Sequence, residues 1–301
     1  MLNLAWVFLS ANMKDCMRWK QYLPAAAILI TGLALTLFFA QHFWKMDDRE
    51  WGARAFSETR FLSRTLHEWI ESSFHPLSAL GVLLENSKEV TIAEFHNTIE
   101  NMEIRSNNSF MQELGVLEHK DGQWQVFLSS TNADSARIRQ TQDSATRNSL
   151  LAAIKRARAK PNEWQMSHPV PSNNGSTAVY ICLAFPDLIG AKKSELVLVG
   201  LLDIEQTVSN LLAIRATKGI YLKLVMEQDQ KTYPLYSSFH NNNIAIKNIS
   251  NASAAGINLS MEWGVSDEFE GGRTRTSVWV VLVAGTALSF LAAWMFLRQA
   301  Y

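Results

Sequence analysis

YLPAAAILITGLALTLFFAQHFW, residues 22–44, decides the architecture of this chain. The stretch carries no Lys, Arg, Asp or Glu, and a helix needs about 20 mainly apolar residues to cross a hydrocarbon core. A second run of the same kind, SVWVVLVAGTALSFLAAWMFL at 277–297, lies just before the last residue, Tyr301. Tyr22, Trp44 and Trp279 are amphipathic aromatics at headgroup depth. Pro24 is expected in the first turn of the helix, where a missing N–H costs little. The first run is too long for the apolar region of a secretory signal, and no small-residue cleavage site follows Phe43 and Trp44.

Lys14, Arg18 and Lys20 precede the first run and Arg298 follows the second, which assigns both termini to the cytoplasm. Lys45, Arg49, Arg54, Arg273 and Arg275 stand on the other side, but they belong to a long segment, and long segments translocate largely regardless of charge. Leu2–Ser10 is apolar, too short to span, and suited to the inner surface. The expectation is a two-pass protein of the inner (plasma) membrane with a periplasmic or extracellular domain. Its parts would be a tail at 1–21, a first span at 22–44, a stalk helix at 45–85, lobes at 86–195 and 196–272, a linker with the second span at 273–298, and a stub at 299–301.

Basic and acidic residues balance at 28 each. Setting aside Lys14, Arg18, Lys20, Arg298 and Asp15 leaves 24 basic and 27 acidic residues in the outer segment. That balance excludes nucleic acid as a partner. Cys16 and Cys182 fall on opposite sides of the first run, so they cannot form an intrachain bridge, and Cys182 in its apolar run reads as a small buried hydrophobe.

Outward from the first run, Trp51, Ala55, Leu62, Leu66, Trp69, Ile70, Phe74, Leu77, Leu80 and Leu84 recur at three- and four-residue steps. They predict a helical stalk of roughly 50 Å at ~1.5 Å per residue, kinked by Pro76, with a stripe long enough to pack in a homodimer. Thr91 and Glu94 form a capping box that opens a helix to about Met102. Glu113–Glu118 and Gln123–Ser129 read as a hairpin whose turn ends in Asp121-Gly122. Ser144–Arg158 reads as a helix with Leu150, Leu151 and Ile154 on one face. Strands follow at Glu163–Val170, Thr177–Phe185 and Leu196–Leu202, then a helix at 204–214 that Asp203 can cap. Strands near Tyr221–Met226 and Ile257–Trp263 complete the segment, and the Asn-rich stretch 241–251 reads as a loop. The fold class is α+β, with antiparallel sheets and a long N-terminal helix.

In this order the segments resemble the CHASE sensory domain, the extracytoplasmic module of receptor histidine kinases and nucleotide or diguanylate cyclases. The quoted likenesses are ALGVLLENSKEVTIAEF at 79–95, ELGVLEH at 113–119, RNSLLAAIKRA at 147–157, VYICLAFPD at 179–187 and LVGLLDIEQTVSNLL at 198–212. Together they cover about residues 48–270. The resemblance implies a stalk helix carrying two PAS-like lobes, a homodimer, a small organic ligand in the membrane-distal lobe, and motion passed through the second span to a cytoplasmic kinase or cyclase. That output would begin where this sequence stops, at Tyr301. Plant members bind adenine-type cytokinins through an Asp in a short Gly-x-Asp or Leu-Asp element. Here Asp134 and Asp143 stand nearby with different neighbours and spacing, a departure from adenine recognition.

No catalytic constellation emerges. The seven histidines are scattered without metal-ligand spacing, and His67 and His75 sit on the stalk. SDEFEGG at 266–272 reads as a polar linker. Neither a phosphate loop nor a nucleophile elbow is present. The expectation is therefore a non-enzyme without metal or cofactor. A pocket needs an apolar concavity with a few placed polar groups, and Trp124, Phe127, Trp164, Met166, Tyr180 and Phe185, with Asp143, are the candidates to line it. Alternate strand residues face opposite sides, so only some of them can share one pocket. The competing reading is a membrane-anchored scaffold without a soluble ligand.

Overall fold

A computed structural model describes residues 2–86, 90–101, 111–131, 144–172, 175–185, 195–239, 243–273 and 275–300. The chain divides into two compact units, Met1–Arg54 with Glu270–Tyr301, and Ala55–Phe269.

The first unit contains the start of α1 (Leu2–Ser72) and α6 (Thr276–Ala300). Both helices are long and apolar enough to cross a membrane. Leu23, Ile30, Leu37 and Phe38 on α1, and Val283, Leu288 and Phe290 on α6, keep more than half of their surface exposed. Because α1 already begins at Leu2, Pro24 lies inside the helix rather than in its first turn, and the helix forgoes one backbone hydrogen bond there. The two helices meet at small residues. A Cβ on Gly32 would lie 2.4 Å from Ser289 Oγ, and one on Gly285 would lie 2.4 Å from Thr36 Oγ1. The Thr36 hydroxyl donates to Gly32 O (2.8 Å) and the Ser289 hydroxyl to Gly285 O (2.7 Å), so neither is left unpaired in an apolar setting. Beyond this seam Ser277 donates to Asp47 (2.7 Å), Arg54 pairs with Glu270 (2.9 Å), and the Arg275 guanidinium lies over the Trp44 ring at 3.6 Å.

In the second unit α1 ends at Ser72 and α2 (His75–Asn86) takes over. Pro76 has no N–H for the carbonyl of Ser72, which accounts for the break. The predicted stripe is buried throughout, from Ala55 through Leu62, Leu66, Ile70, Leu77 and Leu80 to Leu84, except for half-buried Trp69. At α3 (Ile92–Asn101) the capping box is closed both ways, Glu94 N donating to Thr91 Oγ1 (3.2 Å) and Thr91 N to Glu94 Oε2 (2.9 Å).

The first sheet is antiparallel and contains β1 (Met111–Lys120), β2 (Gln123–Ser129), β3 (Gln165–Met166), β4 (Val170–Pro171), β5 (Thr177–Phe185) and β6 (Leu196–Asp203). Its order is β2-β1-β6-β5-β3, with β4 also on β5. One face meets α2. A Cβ on Gly81 would press on Phe185, and one on Gly200 would press on Leu77 and Met111. The other face lies under α4 (Ser144–Ala159), where Leu150, Ala153, Ile154 and Ala157 pack on Tyr180, Cys182, Val197, Val199 and Leu201. Leu151, expected on that face, is exposed instead.

After α5 (Ile204–Arg215), the second sheet runs β8-β7-β10-β9, from β7 (Ile220–Gln228), β8 (Lys231–Ser237), β9 (Ile244–Ala254) and β10 (Ile257–Ser266). Two sequence expectations fail here. The stretch 241–251 is a strand from Ile244 onward, because its polar residues are matched from outside the sheet. Asn248 donates to Thr59 Oγ1 of α1 (3.0 Å), and Ser250 and Ser63 hydroxyls lie 2.8 Å apart. β8 was not expected at all. It holds Pro234 on an edge strand beside a register shift, the setting in which a strand tolerates proline. The expected strand Glu163–Val170 is interrupted between β3 and β4, where Pro169 lacks a donor.

Candidate ligand-binding groove

α4 is amphipathic, but its side toward residues 168–171 is built of small residues: Ala145, Ser149 and Ala152 follow one another at helical spacing. Opposite them the chain reads His168-Pro169-Val170-Pro171, where Pro169 interrupts the edge before Val170 and Pro171 pair with β5. Between the two lies an open groove of about 410 Å³, lined also by Thr146 and Asn148. Its two walls are tied together: the buried Ser149 hydroxyl donates to His168 O (2.9 Å). Ser167 anchors the far wall to the sheet, its N–H donating to Tyr180 O (2.8 Å) and its Oγ accepting from Tyr180 N (2.9 Å). The lining is mainly apolar, and among the described residues it contains no acidic side chain and His168 is its sole titratable group. Such a surface suits a small molecule of low charge, oriented by the amide of Asn148 and the imidazole of His168.

Beneath α4 the Cys182 thiol is fully buried. Burial pushes its pKa up to about 12, while the positive charge of Arg156 pulls weakly the other way. A neutral thiol there is part of the packed floor and not a nucleophile.

The sequence-predicted candidates are dispersed. Tyr180 and Trp124 share the α4 side of the sheet, with Tyr180 in the packed core and Trp124 at its margin against His119 (5.0 Å between ring centroids). Phe185 lies on the opposite face beneath Gly81, and Trp164 stacks on Phe74 at 5.8 Å. Phe127 sits at the β1–β2 register shift with about half its surface exposed. Met166 is buried in β3. Asp143 and Asp134 lie outside the described residues. None of the described candidates lines the groove. His168, Asn148 and Ser149 do, and reasoning from large aromatics passed over them. The available signal was the His-Pro-Val-Pro run facing a small-residue helix stripe.

At the far end of β6, Asp203 caps α5. Its fully buried carboxylate accepts from Gln206 N (2.9 Å), Gln112 Nε2 (2.7 Å) and Ser176 Oγ (2.6 Å). It therefore ties β1, the turn before β5, and α5 into one polar hub, as the capping reading expected.

Among solved structures the chain is similar to the ligand-binding domain of the Pseudomonas aeruginosa PAO1 amino acid chemoreceptor PctC in complex with GABA, at 12% identity over 71% of this chain and 99% of that one, TM-score 0.43. It is also similar to the periplasmic sensory domain of the Campylobacter jejuni chemoreceptor Tlp1 (13% identity, 72% and 93%, TM-score 0.45). A third is the Vibrio cholerae LuxQ periplasmic domain (13% identity, 66% and 97%, TM-score 0.36). These are loose likenesses, each with a TM-score below 0.5. No protein-family model and no curated protein matches the chain, so the resemblance to CHASE domains rests on the segments quoted above.

Proposed function

We propose that this protein is a membrane-anchored sensor that binds a small molecule of low charge in the groove between α4 and residues 168–171. The observation that carries the reading is the groove itself, a roomy apolar concavity with few polar groups in a segment bracketed by two helices that present apolar surface along their length. Both helices cross the inner membrane, both termini are cytoplasmic, and the lobes at 86–195 and 196–272 lie outside. The resemblance to CHASE domains supports a homodimer, through a face other than the α1 stripe that is buried within the chain, and a cytoplasmic kinase or cyclase output. The chain itself performs no chemistry. A bound molecule changes the output only through unequal affinity for two arrangements of the lobes.

The test is a thermal-shift screen of the full chain in detergent micelles against amino acids, short carboxylates and adenines. One compound class is expected to raise Tm in a saturable way. If no compound shifts Tm while the chain co-purifies with a membrane neighbour, the scaffold reading replaces this one.

A further inference from the structure

One wall of the groove is also a wall of the joint between the two sheets. Met166 O, in β3, accepts from Arg156 Nη2 on α4 (2.8 Å) and from Gln228 Nε2 at the end of β7 (3.1 Å). Met166 N donates to Ala255 O in the β9–β10 turn (3.1 Å). Asp229, in the β7–β8 turn, stands 3.4 Å from His168 Nε2 and 3.7 Å from Arg156 Nη1. The His168 ring stacks on Tyr233 of β8, centroids 4.8 Å apart and planes 23° from parallel. Both turns are two-residue turns with positive φ, at Asp229 and Gln230 and at Ala255 and Gly256. That geometry holds a hairpin end stiffly. A Cβ on Gly256 would lie 2.9 Å from Gln165 Oε1, so the second turn fits closely against β3.

Three atoms at this joint, Arg156 Nε, Gln165 Nε2 and Gln228 Oε1, are buried without a partner among the described residues. An incompletely paired network has little to lose by re-pairing, which is the property a bistable contact needs.

We propose that groove occupancy is reported to the second sheet by His168 and Arg156 acting on the Asp229–Tyr233 end of the β7–β8 hairpin. The proposal rests on the groove being the ligand site. His168 lines the groove and stacks on Tyr233. Arg156 stands one helical turn beyond Ala152, which also lines the groove, so a rigid shift of α4 moves its guanidinium relative to Met166 O and Asp229. Asp229 is largely exposed, and exposed ion pairs contribute little to stability. The pair is therefore a cheap contact to exchange, suited to switching more than to holding the fold.

A side chain can stand in for a ligand in the test. In the full chain in nanodiscs, Ala152→Trp fills the groove, and hydrogen exchange is read across β7 and β8. The expected result is a change of about threefold or more in exchange at 226–235. That change should be lost when Arg156→Ala and His168→Ala are added. Altered exchange in α4 with an unchanged β7–β8 hairpin would overturn the relay. If Ala152→Trp does not fold, Asn148→Trp at the exposed rim fills the same groove and is read the same way. No ligand enters this experiment, so its failure counts against the relay alone, and failure of the compound screen counts against the groove as a site.

Discussion

The first sheet is covered on both faces, by α2 and by α4, whereas the second has α1 on one face and, among the described residues, Lys223, Lys247 and Glu262 paired across the other. The difference is written in the strands. β5 is a nearly continuous buried run, while β7 alternates between buried and more exposed positions, the patterns of a strand packed on two sides and on one. A sheet with one covered face has its core on that side, and the concavity of about 350 Å³ at its β7–β8 turn, between residues 227–232 and Asn258, is lined by polar residues. A second cover of small residues creates an edge where a groove can open. Under the proposed function this asymmetry favours the first sheet as the place for a ligand.

Substitutions can break or sharpen this contrast. The largest effect is expected at Tyr180, which is 1% exposed in the α4 core. Tyr180→Ala should cost about 4 kcal/mol in denaturant unfolding, so it tests packing and cannot serve as a clean probe of ligand contact. A loss under about 1 kcal/mol would show that α4 does not press on this face. Asp203→Ala leaves three donors without their acceptor and should cost about 3 kcal/mol, with Asp203→Asn retaining part of the hub.

Cys182 gives a pH signature. Its folded thiol titrates near 12, against about 8.5 when unfolded. The stabilisation from burying the neutral thiol is complete below the unfolded value and is lost as pH rises toward the folded one, reaching about 1 kcal/mol by pH 9.5. In a Cys16→Ser background the thiol should ignore Ellman's reagent at pH 8 until the protein is unfolded, and prompt labelling of the native state would refute the packed floor. The smallest effect belongs to the open face. Glu262→Ala removes two partly exposed ion pairs and should change stability by no more than about 0.5 kcal/mol, fading with added salt.

Much of this scaffold was legible in the residues. The stalk stripe from Ala55 to Leu84, the Thr91–Glu94 box, strand Thr177–Phe185 and the Asp203 cap each depend on local spacing, and each stands where the spacing put it. What escaped depends on partners distant in sequence. β9 looked like a loop because Asn248 and Ser250 are poor strand formers alone, and only the hydroxyls of Thr59 and Ser63 make the polar face acceptable. β8 was hidden by Pro234, which an edge position tolerates. The groove was missed for a related reason: aromatic residues mark cores as readily as pockets, and this groove is defined by the smallness of Ala145, Ser149 and Ala152.

The central claim is that the first sheet, not the second, carries the ligand site. The most direct measurement is the compound screen run in parallel on the unsubstituted chain, on Asn148→Trp in the groove, and on Asn251→Trp, on an exposed position of β9. A compound that raises Tm in the unsubstituted chain should do so equally in Asn251→Trp and lose at least about tenfold in apparent affinity in Asn148→Trp. Retention of the shift in Asn148→Trp with its loss in Asn251→Trp would contradict the account and move the site to the second sheet.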